Sequence, residues 1–351
     1  MWAKRIGAIV LAAILIGGAV LLRRAVTGGS DSPTTEPPAS ATAVMCIPEL
    51  ESACRALAAG DPGIQVTIEP AGATYERVVA DPSSAPEAWI TMAPWPAMVS
   101  SAVAVNGGAD PFPTDLAVGT TDVVMVGRTA RMGVLTQHCG TLSWRCVGDV
   151  AGQPWPSVGG EAAWGVVKPS HADAAQSAVG LLGFSTIVSD YWGRTDYTGA
   201  DLENDDAFQS WLARFERAIP TYGDAANTPF ALLLAQPRID VVATTGAEVA
   251  ETAGAQASDL TTSPPNVQPH PQAELVVAGG EAADRIAHGM LSVVPGLKGW
   301  SAPVVATTSM RGWASSRASG VFAASPYVGM ARSKRASHDW NASSFSRSAP
   351  V

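Results

Sequence analysis

The sequence lacks the residue spacings that mark common catalytic centres. Its five histidines, His138, His171, His270, His288 and His338, show neither HxxxH nor HxH spacing. No GxSxG elbow, GxxxxGKS loop or GxGxxG turn is present, so the usual nucleophile and nucleotide signatures are missing. An Asp-x-Ser-x-Ser run for metal-dependent adhesion is absent as well. Isolated acids such as Asp122, Asp173 and Glu248 read as solvated surface charges rather than catalysts. Basic charge is scarce where it would matter: residues 44–293 hold 28 acidic side chains against 11 basic ones. Binding to nucleic acid rests on clustered Lys and Arg meeting phosphates, so such a partner is excluded from the expectations. Cysteine is sparse, and Cys46, Cys54, Cys139 and Cys146 match no zinc-site spacing. Neither a metal nor a cofactor is expected.

What is present begins with a hydrophobic run. Ile6 to Leu22 is 17 uncharged residues between Lys4-Arg5 and Arg23-Arg24, at the short end of what spans a bilayer as a helix. Two arginines, rather than a small-residue cleavage site, follow the run, which favours an uncleaved membrane anchor over 1–26; a processed signal is the alternative. Residues 27–43, which include TGGSDSPTTEPPASAT, contain too little apolar bulk to bury a core and read as a flexible stalk. The four cysteines then fall into two close pairs, and local disulfides Cys46–Cys54 and Cys139–Cys146 fit a domain outside the cytoplasm. Four buried reduced thiols are the other reading. At the far end, 296–351 carries twelve serines, and from Pro295 onward seven Lys or Arg face the single acid Asp339. It shows no sustained stripe and is expected to be a poorly ordered tail.

Between these ends, short β-rich runs alternate with helical patterns, which implies a parallel-rich sheet with helices on its faces. Strands are expected at 42–47, 65–68, 88–90, 123–126, 163–167, 239–243 and 275–278. Helices are expected at 49–59, 74–80 and 96–105. The strongest pattern is Asp205 to Ile219, where Phe208, Trp211, Leu212, Phe215 and Ile219 recur at helical spacing, with acids in the first turn, arginines near the last and Pro220 as the stop. Its aromatics are expected in a core rather than around a ligand.

The succession MCIPELESACRAL, VTIEPAGATYERVV, APEAWITMAPWPAMV, TTDVVMVGRTARMGVL, DAAQSAVGLLGF and TPFALLLAQPRIDVVATTGAEV resembles the bacterial extracellular solute-binding proteins of the type II periplasmic-binding fold, the substrate-binding components of ABC transporters. The resemblance covers roughly 44–255 and rests on order and character. It implies two α/β lobes joined by two crossing segments: 44–117 as the first part of lobe 1, 118–271 as lobe 2, and 272–295 as the return to lobe 1. The Pro-rich stretch 264–271 would be the second approach to the hinge. The implied partners are a small-molecule solute, with an oxyanion as one candidate, an ABC transporter permease and, through the N-terminal helix, the membrane. The implied location is single-pass in the cell membrane with the globular part extracytoplasmic.

Family members meet solutes with hydroxyls and backbone N–H groups at helix N-termini, where N–H groups lack internal partners. By position, the matching segments here are Gly72-Ala73-Thr74 and Gln176-Ser177-Ala178, with Thr74 and Ser177 as the first choices, expected on opposite lobes and approaching as the cleft closes. Both could equally serve as ordinary helix caps. Trp95, held in Pro94-Trp95-Pro96, is a secondary cleft candidate whose ring could offer a flat face to solute. The family's first strand-to-helix turn often holds a serine; here it holds Ile47, Pro48 and Glu49. A carboxylate there would repel an anion. Solute binding is thus the first reading, an envelope-anchored structural or protein-interaction ectodomain the second, and an enzyme without a familiar motif the third.

Overall fold

The computed structural model describes residues 41–221, 228–236 and 238–303. The segment Ile6 to Leu22, the stalk as far as residue 40 and most of the basic tail lie outside the described residues, while Thr42 and Ala43, expected at the end of the stalk, already belong to the first strand. No helix among the described residues is long and apolar enough to cross a membrane.

The first lobe starts with β1 (Thr42–Cys46), a 3-10 turn (Pro48–Leu50) and α1 (Glu51–Gly60). It continues with β2 (Ile64–Ile68), α2 (Ala71–Ala80), β3 (Ala88–Met92) and α3 (Trp95–Val105). Both β2 and β3 run parallel to β1, with Val44 beside Val66 and Ala88. Residues two apart along a strand share a face, so Val44 and Cys46 line up with Ala88 and Ile90 on one buried side. That side is pinned to α1 by the Cys46–Cys54 disulfide. Pro48 opens the 3-10 turn at a position where its missing N–H costs little.

A single long strand, β4 (Thr114–Arg128), then leaves the lobe. Beyond it come α4 (Thr129–Cys139), α5 (Trp144–Val150), β5 (Pro169–His171), α6 (Ala178–Trp192), α7 (Gly199–Asn204), α8 (Asp206–Ala218) and α9 (Pro229–Ala235). Next are β6 (Val241–Thr245), α10 (Gly246–Thr252), β7 (Leu260–Ser263), β8 (Gln272–Gly279) and α11 (Ala282–Val293). The sheet path is β2-β1-β3-β8-β4-β6-β5, with β7 also paired to β4. The first part of β4 pairs β8 as far as Asp122 opposite Gln272. From Val123 onward it pairs β6 and, from Met125, β7. The change of sheet therefore falls at Asp122–Val123, later than the 117/118 boundary expected from sequence, because β4 keeps its hydrogen bonds to β8 past that point. The second crossing is the Pro-rich 264–271 segment, which has no regular secondary structure; the Pro271 carbonyl accepts from the Val123 N–H at 3.0 Å, so the two crossings touch.

Several expectations need correction. The sheet is mixed rather than parallel-rich: β3–β8, β8–β4, β4–β6 and β4–β7 are all antiparallel, because a strand that passes between lobes and its return run against their neighbours. The expected strand at 163–167 is replaced by a 3-10 turn at Ala162–Trp164, and the strand forms later, at Pro169–His171. The start of the basic segment is anchored, since Leu297 and Trp300 pack on the lobe 1 core and Ser301 exchanges two 2.9 Å hydrogen bonds with Thr120. Aromatic and apolar contact at Leu297 and Trp300 outweighs the polar composition of the segment as a whole.

The two lobes have separate cores. Strand residues such as Val44, Ile90 and Val277 pack with Ile286 and Met290 of α11 in lobe 1. Trp144, Phe208, Trp211 and Phe215 pack with Ile187 and Tyr191 in lobe 2. The stripe read from sequence on 205–219 does face this core, and Asp205 caps the helix by accepting from the Phe208 N–H at 2.9 Å. The Cys139–Cys146 disulfide ties the end of α4 to α5.

A buried acid gives lobe 2 a pH dependence. Asp190, in the last turn of α6, is 5% exposed and accepts a hydrogen bond from the Trp144 N–H. Burial pushes its carboxyl up to about 6, against the opposing pull of N–H groups at Trp144 and Asn266. Between the ordinary Asp value and 6 the folded chain holds a proton that the unfolded chain releases. Stability from this group is thus greatest at low pH and is lost as pH rises through about 6. We expect Asp190→Asn to raise the melting temperature above pH 6, by an amount worth about 2–3 kcal/mol, and the gain to shrink as pH falls toward 4. Melting curves of both proteins from pH 4 to 7.5 would reveal a constant difference if the idea is wrong.

Candidate functional site

Loops at the carboxyl ends of β1 and β2 in lobe 1 meet the segment leading into α6 of lobe 2. From β1 comes Glu49, carried on the 3-10 turn that the Cys46–Cys54 disulfide brackets. From β2 comes Gly72, in the first turn of α2 after Pro70. Lobe 2 contributes Ala175, Gln176, Ser177 and Ala178.

The contacts are polar, short and reciprocal. The Ser177 hydroxyl donates to Glu49 Oε1 at 2.6 Å, and the Ala178 N–H donates to the same oxygen at 2.9 Å. In return, the Gln176 carbonyl accepts from the Gly72 N–H at 3.1 Å. Gly72 is required at this approach: a Cβ there would lie 1.9 Å from the Ala175 carbonyl oxygen. Around this seam Ala178, Val179 and Leu181 are buried within the lobe 1 core although α6 belongs to lobe 2. Nearby, Ser52 of α1 donates to Glu251 of α10 at 2.8 Å, and the Thr121 hydroxyl of β4 accepts from the Ala247 N–H at 3.0 Å.

Each residue expected to meet solute has a definite place. Ser177 caps α6, accepting from the Gly180 N–H at 2.9 Å while it donates to Glu49. Thr74 is fully buried, one turn inside α2 rather than at its end, and its hydroxyl donates to Glu69 at 2.7 Å. Burial raises the Glu69 carboxyl, but hydrogen bonds from Arg77 and Thr74 outweigh it and hold the group below the usual range. Thr74 is therefore committed within lobe 1 and makes no hydrogen bond with Ser177. Trp95 is 3% exposed and meets Tyr75 edge-on at 6.1 Å; its ring packs in the lobe 1 core. The indole N–H of Trp95 has no partner among the described residues.

Glu248 also departs from its reading as a solvated surface charge. The Thr228 hydroxyl donates to it at 2.9 Å and the Thr244 hydroxyl donates to its other oxygen. Burial, and then the charges of Glu49 and Glu251, raise its carboxyl, while the two threonines pull it back. The seam thus gathers three carboxylates. No His, Cys, Asp or Glu grouping among the described residues could hold a metal ion. Gly72 lies in the 72–74 segment read from sequence as facing the cleft, whereas Glu49, which makes the other interlobe contact, was not singled out as a binding residue. The signal was there in part, since Glu49 stands where a family serine was expected.

The topology on its own, two α/β lobes joined by a strand that changes sheets and by a returning Pro-rich segment, is that of the type II periplasmic-binding fold. No protein-family model and no curated protein matches the chain. Among solved structures it is similar to the periplasmic binding protein AfuA from Actinobacillus pleuropneumoniae with exogenous fructose-6-phosphate bound. There identity is 14%, coverage 73% of this chain and 79% of that one, and the TM-score 0.46. A periplasmic thiamin binding protein shares 11% identity over 77% of this chain and 86% of its own, with a TM-score of 0.47. The ferric binding protein from Campylobacter jejuni shares 8% identity over 72% and 81%, with a TM-score of 0.45.

Proposed function

We propose that this chain captures a small solute between its two lobes, binding rather than transforming it, as the solute-binding component of an ABC-type importer. The observation that carries the reading is the placement of two strand-end loops of lobe 1 against the N-terminus of α6 from lobe 2, across a hinge made of β4 and the 264–271 segment. Loops at the carboxyl ends of strands are where open α/β sheets take their ligands. The two disulfides support a location outside the cytoplasm, and the Ile6 to Leu22 run supports a membrane anchor holding the domain there. The solute class is open: sugar phosphate, thiamin and ferric ion are named for the similar structures, and an oxyanion would have to displace Glu49.

Thermal-shift screening of the soluble portion against oxyanions, metal ions, sugars and amino acids tests this. A solute at about a hundred times its dissociation constant should add about 2.7 kcal/mol and raise the melting temperature by several degrees. If no class shifts the melt, solute capture is wrong, and the reading as an anchored protein-interaction ectodomain gains. That second reading draws on one observation: protein oxygens already occupy the seam.

A further inference from the structure

The two helix N-termini that face each other across the hinge are both filled by protein atoms of the opposite lobe. At α6, a helix of 15 residues, the seat is filled by Glu49 Oε1, with the Ser177 hydroxyl and the Ala178 N–H as donors. At α2 the Gly72 N–H is met by the Gln176 carbonyl. Helix N-termini carry partial positive charge and unpaired N–H groups, so each is complementary to an oxygen acceptor. A carboxylate is the side chain closest in charge and shape to a small bound anion. We propose that Glu49 is an internal ligand, a latch that seats its carboxylate on α6 and holds the two lobes closed without any solute.

Three features argue for a latch that can open rather than a fixed weld. The second oxygen of Glu49, Oε2, is buried and has no partner among the described residues. A buried, unpartnered oxygen costs free energy that opening to water returns. The charges of Glu49 and Glu251 both act on Glu248, so acids gather at the seam, and no Lys or Arg is paired with any of the three among the described residues. Closure is nevertheless specific, because only glycine at position 72 lets the Ala175 carbonyl approach so closely. Ala178 and Val179, buried against lobe 1, provide the apolar contact that the latch completes.

The proposal relies on solute capture only for its biological meaning; the closure is tested with no solute present, so the failure of either can be told from the failure of the other. Hydrogen exchange of the full chain reads it directly. The Gly72 amide sits away from Glu49, and its protection depends on the lobes staying together. In Glu49→Ala we expect both the Ala178 and the Gly72 amides to exchange at least about tenfold faster, while millimolar formate, taking the vacated seat with no tether to lobe 1, slows the Ala178 amide and leaves Gly72 fast. Gly72→Ala is an independent second variant, since alanine favours the helix itself while its methyl blocks closure. There the Ala178 amide should also exchange about tenfold faster, and small-angle scattering should give a larger radius of gyration. A local capping role would speed Ala178 alone. Unchanged exchange at Gly72 in Glu49→Ala, unchanged exchange at Ala178 in Gly72→Ala, or formate restoring Gly72 as fully as Ala178 would overturn the proposal.

Discussion

Replacing Arg131 with Met is expected to destabilise lobe 2 by about 3–5 kcal/mol, the usual result of removing one member of a buried ion pair. Asp240 is fully buried. One of its oxygens takes the Arg131 guanidinium, and the other accepts from the Lys168 N–H at 2.7 Å and from the Trp155 indole at 3.3 Å. Burial pushes the Asp240 carboxyl up even with Arg131 and Lys168 pulling it down. Without the guanidinium, the carboxylate keeps two neutral donors and no ion-pair partner, with only the charge of Lys168 still acting on it. Its pKa should climb further, so the sign of the pH effect is fixed: the loss in Arg131→Met is largest at neutral and higher pH and shrinks as acid protonates Asp240. Arg131 also lies over the Trp164 ring at 5.5 Å, a contact that Met retains only as packing. Adding Asp240→Asn to Arg131→Met should recover part of the stability, because it removes the unpaired charge and keeps an acceptor. Denaturant unfolding of the single and double variants at pH 5.5 and 7.5 measures this. A loss below about 1 kcal/mol would mean the pair is solvated as a surface pair is.

Trp211→Ala is expected to cost a further large amount, about 3–5 kcal/mol, by leaving a cavity at the centre of the lobe 2 core. Trp211 is 2% exposed, and its indole N–H donates to the Arg145 carbonyl at 3.1 Å. The ring meets Tyr191 at 4.8 Å and Phe215 at 5.6 Å. It lies so close to α5 that a Cβ on Gly148 would come within 2.3 Å of it. The site therefore tolerates neither less volume nor more: Trp211→Ala opens a void, and Gly148→Ala drives a methyl into the indole. Trp211→Phe should fall between wild type and alanine. If calorimetry shows Gly148→Ala melting like wild type, the close approach of α5 to α8 is wrong.

The α8 stripe was legible because amphipathic periodicity and end signals are local: Phe208, Trp211 and Phe215 face one core as their spacing predicts, Asp205 caps, and Ile219 follows the last turn. The cysteine pairing was legible for a similar reason. Partners seven and eight positions apart form short loops, and the chain has little freedom to place them elsewhere. β4 was only partly legible. Val123 to Val126 reads as a short apolar strand, but the polar stretch before it, TDLAVGTTD, joins the strand because β8 offers its edge there. No local pattern announces such a partner.

For the site, the sequence determined which groups were available. It set a carboxylate in the first strand-to-helix turn, a serine with the side chain to cap α6, a glycine early in α2, and an acidic surround with few cations. Only the tertiary structure decided what those groups do. Thr74 and Trp95 turned inward because the lobe 1 core had room for them and Glu69 offered the threonine a partner. Glu49, which in isolation would be a charge repelling an anion, became the occupant of the seat on Ser177 and Ala178. The reason is one of distance: Glu49 and Ser177 lie 128 residues apart, and a hydrogen bond or a helix dipole acts over a few ångströms. Whether two such groups meet depends on the hinge and the packing of both lobes, which no window of sequence contains.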